Sequence, residues 1–132
     1  MDNEFNGSNL QTIEISLPGN AAYVSSARLA ASSIAGRLNF DVDEIEDIKA
    51  AVSEACSLFI ENAGGGTFTI TFAPSPGKLS MKFRLNQETS ASFDDAAIGI
   101  LMIKALMDKF ETDYKDKRPV ISMQKIHHEF SL

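Results

Sequence analysis

Cysteine is nearly missing from this sequence: Cys56 stands alone, which excludes an internal disulfide and any multi-cysteine metal cage. It reads as a small core residue. Basic residues are also scarce, twelve against eighteen acidic ones for a formal charge of -6, and they are not clustered. Such a balance repels a phosphate backbone, so direct nucleic-acid binding is not expected. Long apolar runs are lacking as well. The longest, Ile98 to Met107, is interrupted by Lys104 and is far too short to span a bilayer, so it reads as a buried helix. Met1 to Gln11 is polar and acidic, without the basic start and apolar run of a secretion signal, and a cytoplasmic location is the expectation. What remains is an ordinary soluble balance, 44% hydrophobic and 23% charged over 132 residues. That length suits one core, with residues 1–11 as a flexible tail and 12–132 as a single domain.

Periodicity gives the element order. Ile13, Ile15 and Leu17 alternate along a half-buried strand that Pro18 and Gly19 end. From Asn20, a good N-cap, Tyr23, Ala27, Ala30, Ala31, Ile34 and Leu38 recur at helical spacing, predicting a first helix to about Asn39. Asp41 with Glu44 three residues on spells a capping box, and Phe40 and Ile45 stand where a hydrophobic staple would. The second helix carries Ile45, Ile48, Val52, Ala55 and Phe59 and stops near Asn62, before Gly64, Gly65 and Gly66. Alternation over Thr67 to Phe72 and Lys78 to Leu85, across Pro74-Ser75-Pro76-Gly77, predicts a hairpin. Asp94 and Asp95 open a third helix to about Phe110, apolar nearly all round and so expected to be mostly buried. Glu111 to Lys115 and Val120 to Ile126 read as a last hairpin. The order β-α-α-β-β-α-β-β suits an α/β (α+β) two-layer sandwich, a mixed or antiparallel sheet with three helices on one face.

Three blocks carry a resemblance. LPGNAAYVSSARLAASSIAGRLNFDVDEIEDIKAAVSEAC (Leu17 to Cys56), GILMIKALMDKFE (Gly99 to Glu111) and VISMQKI (Val120 to Ile126) resemble, in order, the bacterial anti-sigma-factor serine/threonine kinases of the Bergerat-fold, histidine-kinase-like ATPase superfamily. The resemblance implies the fold of that ATPase domain, a homodimer, ATP and magnesium as the family's cofactors, and a sigma factor or an anti-sigma-factor antagonist as partner.

The family's motifs place its site residues. A helix bearing a Glu and, four residues on, an Asn matches at Glu54 and Leu58; on one helix face the Glu would act as general base while the Asn oxygen holds magnesium. Leucine has no oxygen to offer. Asn62, one turn further along, belongs to the same helix face as a cofactor-binding position. In place of an Asp-x-Gly-x-Gly turn that receives adenine stands LNQETSAS, with Asn86 near the Asp position and Glu88 and Ser90 where glycines are expected. The last glycine pair of the family's lid falls at Ala97 and Gly99, of which only Gly99 is kept, and Gln87 to Ala96 is short and carries Glu88, Asp94 and Asp95, whose charges oppose a triphosphate.

Other features carry less. Gly64-Gly65-Gly66 lacks the Lys and Ser/Thr of a P-loop and reads as a helix terminator. His127 and His128 are adjacent rather than one turn apart, so they read as an exposed tail, and no metal site is expected. Met102, Met107 and Met123 read as core filling. These observations favour a regulator that binds a protein partner with its ATP binding and kinase activity weakened or lost. The alternative is an active ATP-dependent serine/threonine kinase that phosphorylates an anti-sigma-factor antagonist.

Overall fold

Hydrophobic alternation on neighbouring strands decides which face of the sheet the helices cover. The computed structural model describes residues 11–62, 66–90, 93–94 and 97–130, with the side chains of Asn62 and Phe130 outside that description. The expected tail over residues 1–10, Gly64, Gly65, Asp95 and Ala96 also lie outside it. Strands β1 (Ile13–Pro18), β2 (Thr67–Ser75), β3 (Lys78–Leu85), β4 (Lys109–Lys115) and β5 (Arg118–Ile126) form one sheet in the order β1-β2-β3-β5-β4. Every pairing is antiparallel. Ile70 lies opposite Phe83, and Phe83 opposite Ile121, so a row of fully buried side chains runs across the middle of the sheet. Alternation sends Thr69, Arg84 and Val120 to the other face.

Helices α1 (Val24–Ala35), α2 (Val42–Asn62) and α3 (Ile98–Leu106) complete the two layers, with α2 packed between the other two. Helix α1 presents Ala27, Ala31 and Ala35, all buried, so small side chains let it approach α2 closely. Arg28 Nη1 also donates to Ser53 Oγ across that contact at 2.8 Å. From α2, Ile48, Ala51, Val52, Ala55, Cys56 and Phe59 are fully buried. Phe59 gathers an aromatic group, with ring centroids 5.7 Å from Phe68, 6.0 Å from Phe83 and 5.2 Å from Phe93. Burial also pushes the Cys56 thiol up to about 12, which leaves it protonated and unreactive in the folded protein.

The capping box forms as expected. The Asp41 amide donates to Glu44 Oε1 at 3.0 Å, and the Glu44 amide donates to Asp41 Oδ1 at 2.8 Å. Phe40 is buried and Ile45 packs against the core, in keeping with the expected staple. Gly77, at φ 69, turns the β2–β3 hairpin after Pro76, a conformation that suits glycine.

Four expectations need correction. The first helix ends at Ala35 rather than Asn39; Asn20 caps a 3-10 turn at Ala21–Tyr23 that precedes it, and Asn39, at φ 68, takes the left-handed conformation that lets the chain leave. The third helix is shorter than expected, because the chain straightens at Met107 and Phe110 already belongs to β4. Nor is it mostly buried: Ile100 and Ile103 are, but Ile98 is 75%, Leu101 52% and Met102 41% exposed, so Met102 is not core filling. Met107 and Met123 are buried as expected. Lastly, His127 is buried rather than part of an exposed tail, while His128 is exposed. A carbonyl at the end of α3 is satisfied from the sheet: Lys125 Nζ donates to the Leu106 carbonyl at 2.6 Å and pairs with Asp47 Oδ2 at 3.1 Å.

Candidate functional site

Glu54 and Leu58 lie four residues apart on α2, hence on one face, and the first turn of α3 rests on that face. Gly99 makes the approach possible. A Cβ added there would stand 3.1 Å from Glu54 Oε1, 3.7 Å from Leu58 Cγ and 3.8 Å from Leu58 Cδ1. Leu58 itself is buried, with 8% of its surface exposed. The fold therefore joins Glu54, Leu58 and Gly99 in one cluster: a carboxylate beside a leucine under a helix start. Gly99 thus packs on helix α2. Ala97 is the N-cap residue of α3 and offers no side-chain cap; its amide donates to the Asp94 carbonyl at 2.9 Å.

Asn86 is not brought into this cluster. It follows β3 in line with Thr67, on the sheet face opposite Phe68 and Ile70. Its Oδ1 accepts from Thr69 Oγ1 at 2.8 Å, its Nδ2 donates to Thr67 Oγ1 at 2.8 Å, and Arg118 Nε donates to its carbonyl at 3.2 Å. Thr69 Oγ1 shares a further hydrogen bond with Ser16 Oγ at 2.7 Å. The Asn86 carboxamide thus closes a polar ladder across β1 and β2. The side chain of Asn62 lies outside the described residues.

The segment between Asn86 and α3 is held down at both ends. The Thr89 amide donates to the Lys117 carbonyl at 2.8 Å, and the Tyr114 hydroxyl donates to the Thr89 carbonyl, which ties the start of the segment to the β4–β5 turn. Near its other end Phe93 meets Phe59 with the rings tilted by 57°. Sequence reasoning passed over Phe93. The available signal was its being the one aromatic side chain in the polar stretch from Asn86 to Ala97. Glu88 and Asp94, whose charges bear on a triphosphate, are exposed.

Open cavities lie elsewhere among the described residues. One of about 470 Å³ is flanked by Ser80, Lys109 and Gln124, one of about 700 Å³ by Ser33, Arg37 and Pro76, and one of about 150 Å³ by Glu14, Lys82 and Arg84. Neither Glu54, Leu58 nor Gly99 lines any of these three.

A second polar group sits at the opposite end of α2. Glu44 Oε1 meets His127 Nδ1 at 2.6 Å, and its Oε2 accepts from the His128 amide at 2.9 Å. Burial works to raise the Glu44 carboxyl, but hydrogen bonds from Asp41, His127 and His128 outweigh it and hold the group below its ordinary value. The bond to Glu44 holds the His127 imidazole above its ordinary value. Among the described residues no helix is long and apolar enough to cross a membrane.

With this geometry in view, the similarities to known proteins can be placed on it. The family described as histidine kinase-like ATPase domain matches residues 17–125, from the end of β1 nearly to the end of β5. A serine-protein kinase RsbW of Halalkalibacterium halodurans is 30% identical, over 87% of this chain and 83% of its own length. An RsbW of Bacillus cereus is 27% identical, over 90% and 88%. The crystal structure of RsbU and RsbW domains from Mycobacterium tuberculosis superposes with a TM-score of 0.68 at 16% identity, over 88% of this chain but 32% of that longer one, which supports the fold alone. The match over nearly the whole sheet-and-helix unit means that this chain belongs to the histidine kinase-like ATPase family, among the anti-sigma-factor kinases.

Proposed function

We propose that this protein is a regulator of the anti-sigma type that works by holding a protein partner, a sigma factor or an anti-sigma-factor antagonist, with ATP binding and kinase activity weakened or lost. The observation that carries the reading is Leu58, buried under Gly99 and beside Glu54, where the family resemblance expects an asparagine to hold magnesium. An isobutyl group there removes a metal ligand and fills space. Asn86 supports the same reading, because its amide oxygen already accepts from Thr69 on the other face of the sheet. Each lost contact costs about 1–3 kcal/mol, and two or three together weaken a ligand by several powers of ten.

Partner binding finds support on α3, where Ile98, Leu101 and Met102 expose apolar surface on a chain of net charge -6. The working unit we propose is a cytoplasmic homodimer of a domain spanning residues 12–132, with residues 1–11 as a tail. Isothermal titration tests the nucleotide half of the reading. No heat is expected from magnesium-ATP at micromolar protein, whereas micromolar binding that Glu54→Ala abolishes would reject it.

A second reading, an active serine/threonine kinase with Glu54 as general base, is favoured by one observation. Glu54 remains on the helix face where such a base belongs, at the start of α3, and relatives of this chain are named serine-protein kinases. Phosphate transfer from labelled ATP to an antagonist protein, lost in Glu54→Gln, would establish it.

A further inference from the structure

The chain ends its last strand against the start of α2, and the meeting point collects four metal-binding side chains. Asp41 and Glu44 come from the capping box, His127 and His128 from the residues just after β5. One ligand atom from each lies within 4.8 Å of all the others. His128 Nε2 stands 3.3 Å from Asp41 Oδ2, and His127 Nδ1 stands 2.6 Å from Glu44 Oε1. Glu44 and His127 are buried while Asp41 and His128 are exposed, so the group has a rigid floor and an open mouth.

The backbone holds these donors in place from both sides. The His127 amide donates to the Gly77 carbonyl at 2.8 Å, and the Gly77 amide to the Leu38 carbonyl at 3.1 Å. The His128 amide donates to Glu44 Oε2 at 2.9 Å, and the Phe40 ring stands edge-on to His127 with centroids 6.4 Å apart. Little side-chain freedom therefore remains to be lost on binding at Glu44 and His127. Glu129, exposed, also faces the cluster, with Oε1 3.8 Å from His127 Nε2.

We propose that Asp41, Glu44, His127 and His128 form a site for a divalent transition-metal ion of the zinc type. Two imidazoles and two carboxylates suit zinc, and such a set does not suit magnesium, which prefers an octahedron of oxygens. Tetrahedral zinc with bonds near 2.0–2.1 Å sets its ligand atoms about 3.3 Å apart. The Asp41–His128 pair already has that spacing, and the Glu44–His127 pair opens by several tenths of an ångström as the ion replaces the proton between them, which leaves to solvent. Asp41 Oδ1 keeps its bond from the Glu44 amide, so α2 retains its cap, and Glu44 Oε2 keeps its bond from the His128 amide. The bound ion joins residues more than eighty positions apart in sequence, from the start of α2 to the end of the sheet, and stabilises the fold by mass action.

The site is separate from the Glu54–Leu58–Gly99 cluster, so its test needs no nucleotide. The full chain, prepared without a polyhistidine tag and stripped with chelator, is titrated with zinc chloride by calorimetry and with cobalt(II) by visible absorbance. Expected are about one equivalent bound at micromolar strength, an intense tetrahedral cobalt band and a melting temperature higher by several degrees with zinc. His128→Ala and Asp41→Asn are the test variants; both positions are exposed, and asparagine remains a good helix cap, so the metal-free proteins melt as the parent does. Each variant is expected to bind at least about tenfold more weakly. Stoichiometric binding lost in both variants supports the site. No binding by the parent, or binding by both variants as tight as the parent's, overturns it.

Discussion

The two ends of α2 solve opposite problems with the same helix. At its start, carboxylates are gathered and Glu44 receives hydrogen bonds from Asp41, His127 and His128. Toward its end, the helix face that carries Glu54 has been closed with Leu58 under Gly99, next to the Phe59 aromatic group and Phe93. In the family resemblance it is this second end that serves a nucleotide, yet here the first end is the better-organised polar site. One helix thus carries two ends of different chemistry, a hydrogen-bonded polar group at its start and an apolar cluster toward its end.

The largest effect should come from removing the aromatic floor of the apolar end. Phe59→Ala deletes a fully buried ring that meets Phe68, Phe83 and Phe93, and is expected to cost about 3–5 kcal/mol. Chemical denaturation reads this directly. A cost below about 1 kcal/mol would mean that the segment carrying Phe93 collapses into the gap and that the apolar end is loosely packed.

Leu58→Asn asks whether the apolar end can be turned back into a polar one. Burying a carboxamide against Gly99 and the Phe59 group should cost about 2–3 kcal/mol, and magnesium-ATP titration should stay flat, because Asn86 remains bonded to Thr69 and Thr67 on the other sheet face. Recovery of micromolar nucleotide binding by this single change would show that Leu58 alone separates this chain from a working site.

At the polar end, Glu44→Ala strips the acceptor from two backbone amides and the His127 ring at once. The loss expected is about 1–3 kcal/mol, with Glu44→Gln milder because glutamine also completes a capping box. Equal losses for the two substitutions would mean that charge, rather than hydrogen bonding, holds this end.

The same contrast explains what could be read from sequence. The capping box is local, a side chain and an amide three residues apart, so Asp41 and Glu44 announced their contacts in the sequence itself. Strand alternation likewise predicted the hairpin of Thr67 to Phe72 with Lys78 to Leu85, whose Phe68, Ile70, Phe72, Met81 and Phe83 are buried, and the element order predicted three helices against one sheet, as found. His127 was misread because its partner is 83 positions away, and nothing in an isolated His-His pair reveals it. Helix α3 was misread for a different reason: apolar composition all round is shared by a buried helix and by one that leaves a surface uncovered, and periodicity cannot separate Ile100 from Leu101 when both are apolar. In the candidate site the spacing of Glu54 and Leu58 was legible, but Phe93 closing on Phe59 and Asn86 turning to the far face are tertiary events that no local pattern encodes.

The smallest effect on stability should come from Gly99. Gly99→Ala adds one methyl group in the first turn of α3, where alanine is the better helix former by up to about 1 kcal/mol. Against that gain, the new Cβ stands 3.1 Å from Glu54 Oε1, tighter than an ordinary contact, while Leu58 Cγ at 3.7 Å is in normal contact. The carboxylate is the end of a flexible side chain and can swing aside by a few tenths of an ångström, so the two terms nearly cancel. Denaturation should place the variant within about 0.5 kcal/mol of the parent. Nucleotide gives the second readout. If this helix start receives phosphates, a methyl group there blocks the close approach of backbone and weakens magnesium-ATP by at least about tenfold. If Leu58 has already filled the place, parent and variant titrate alike, both flat, and the substitution changes nothing that the protein does.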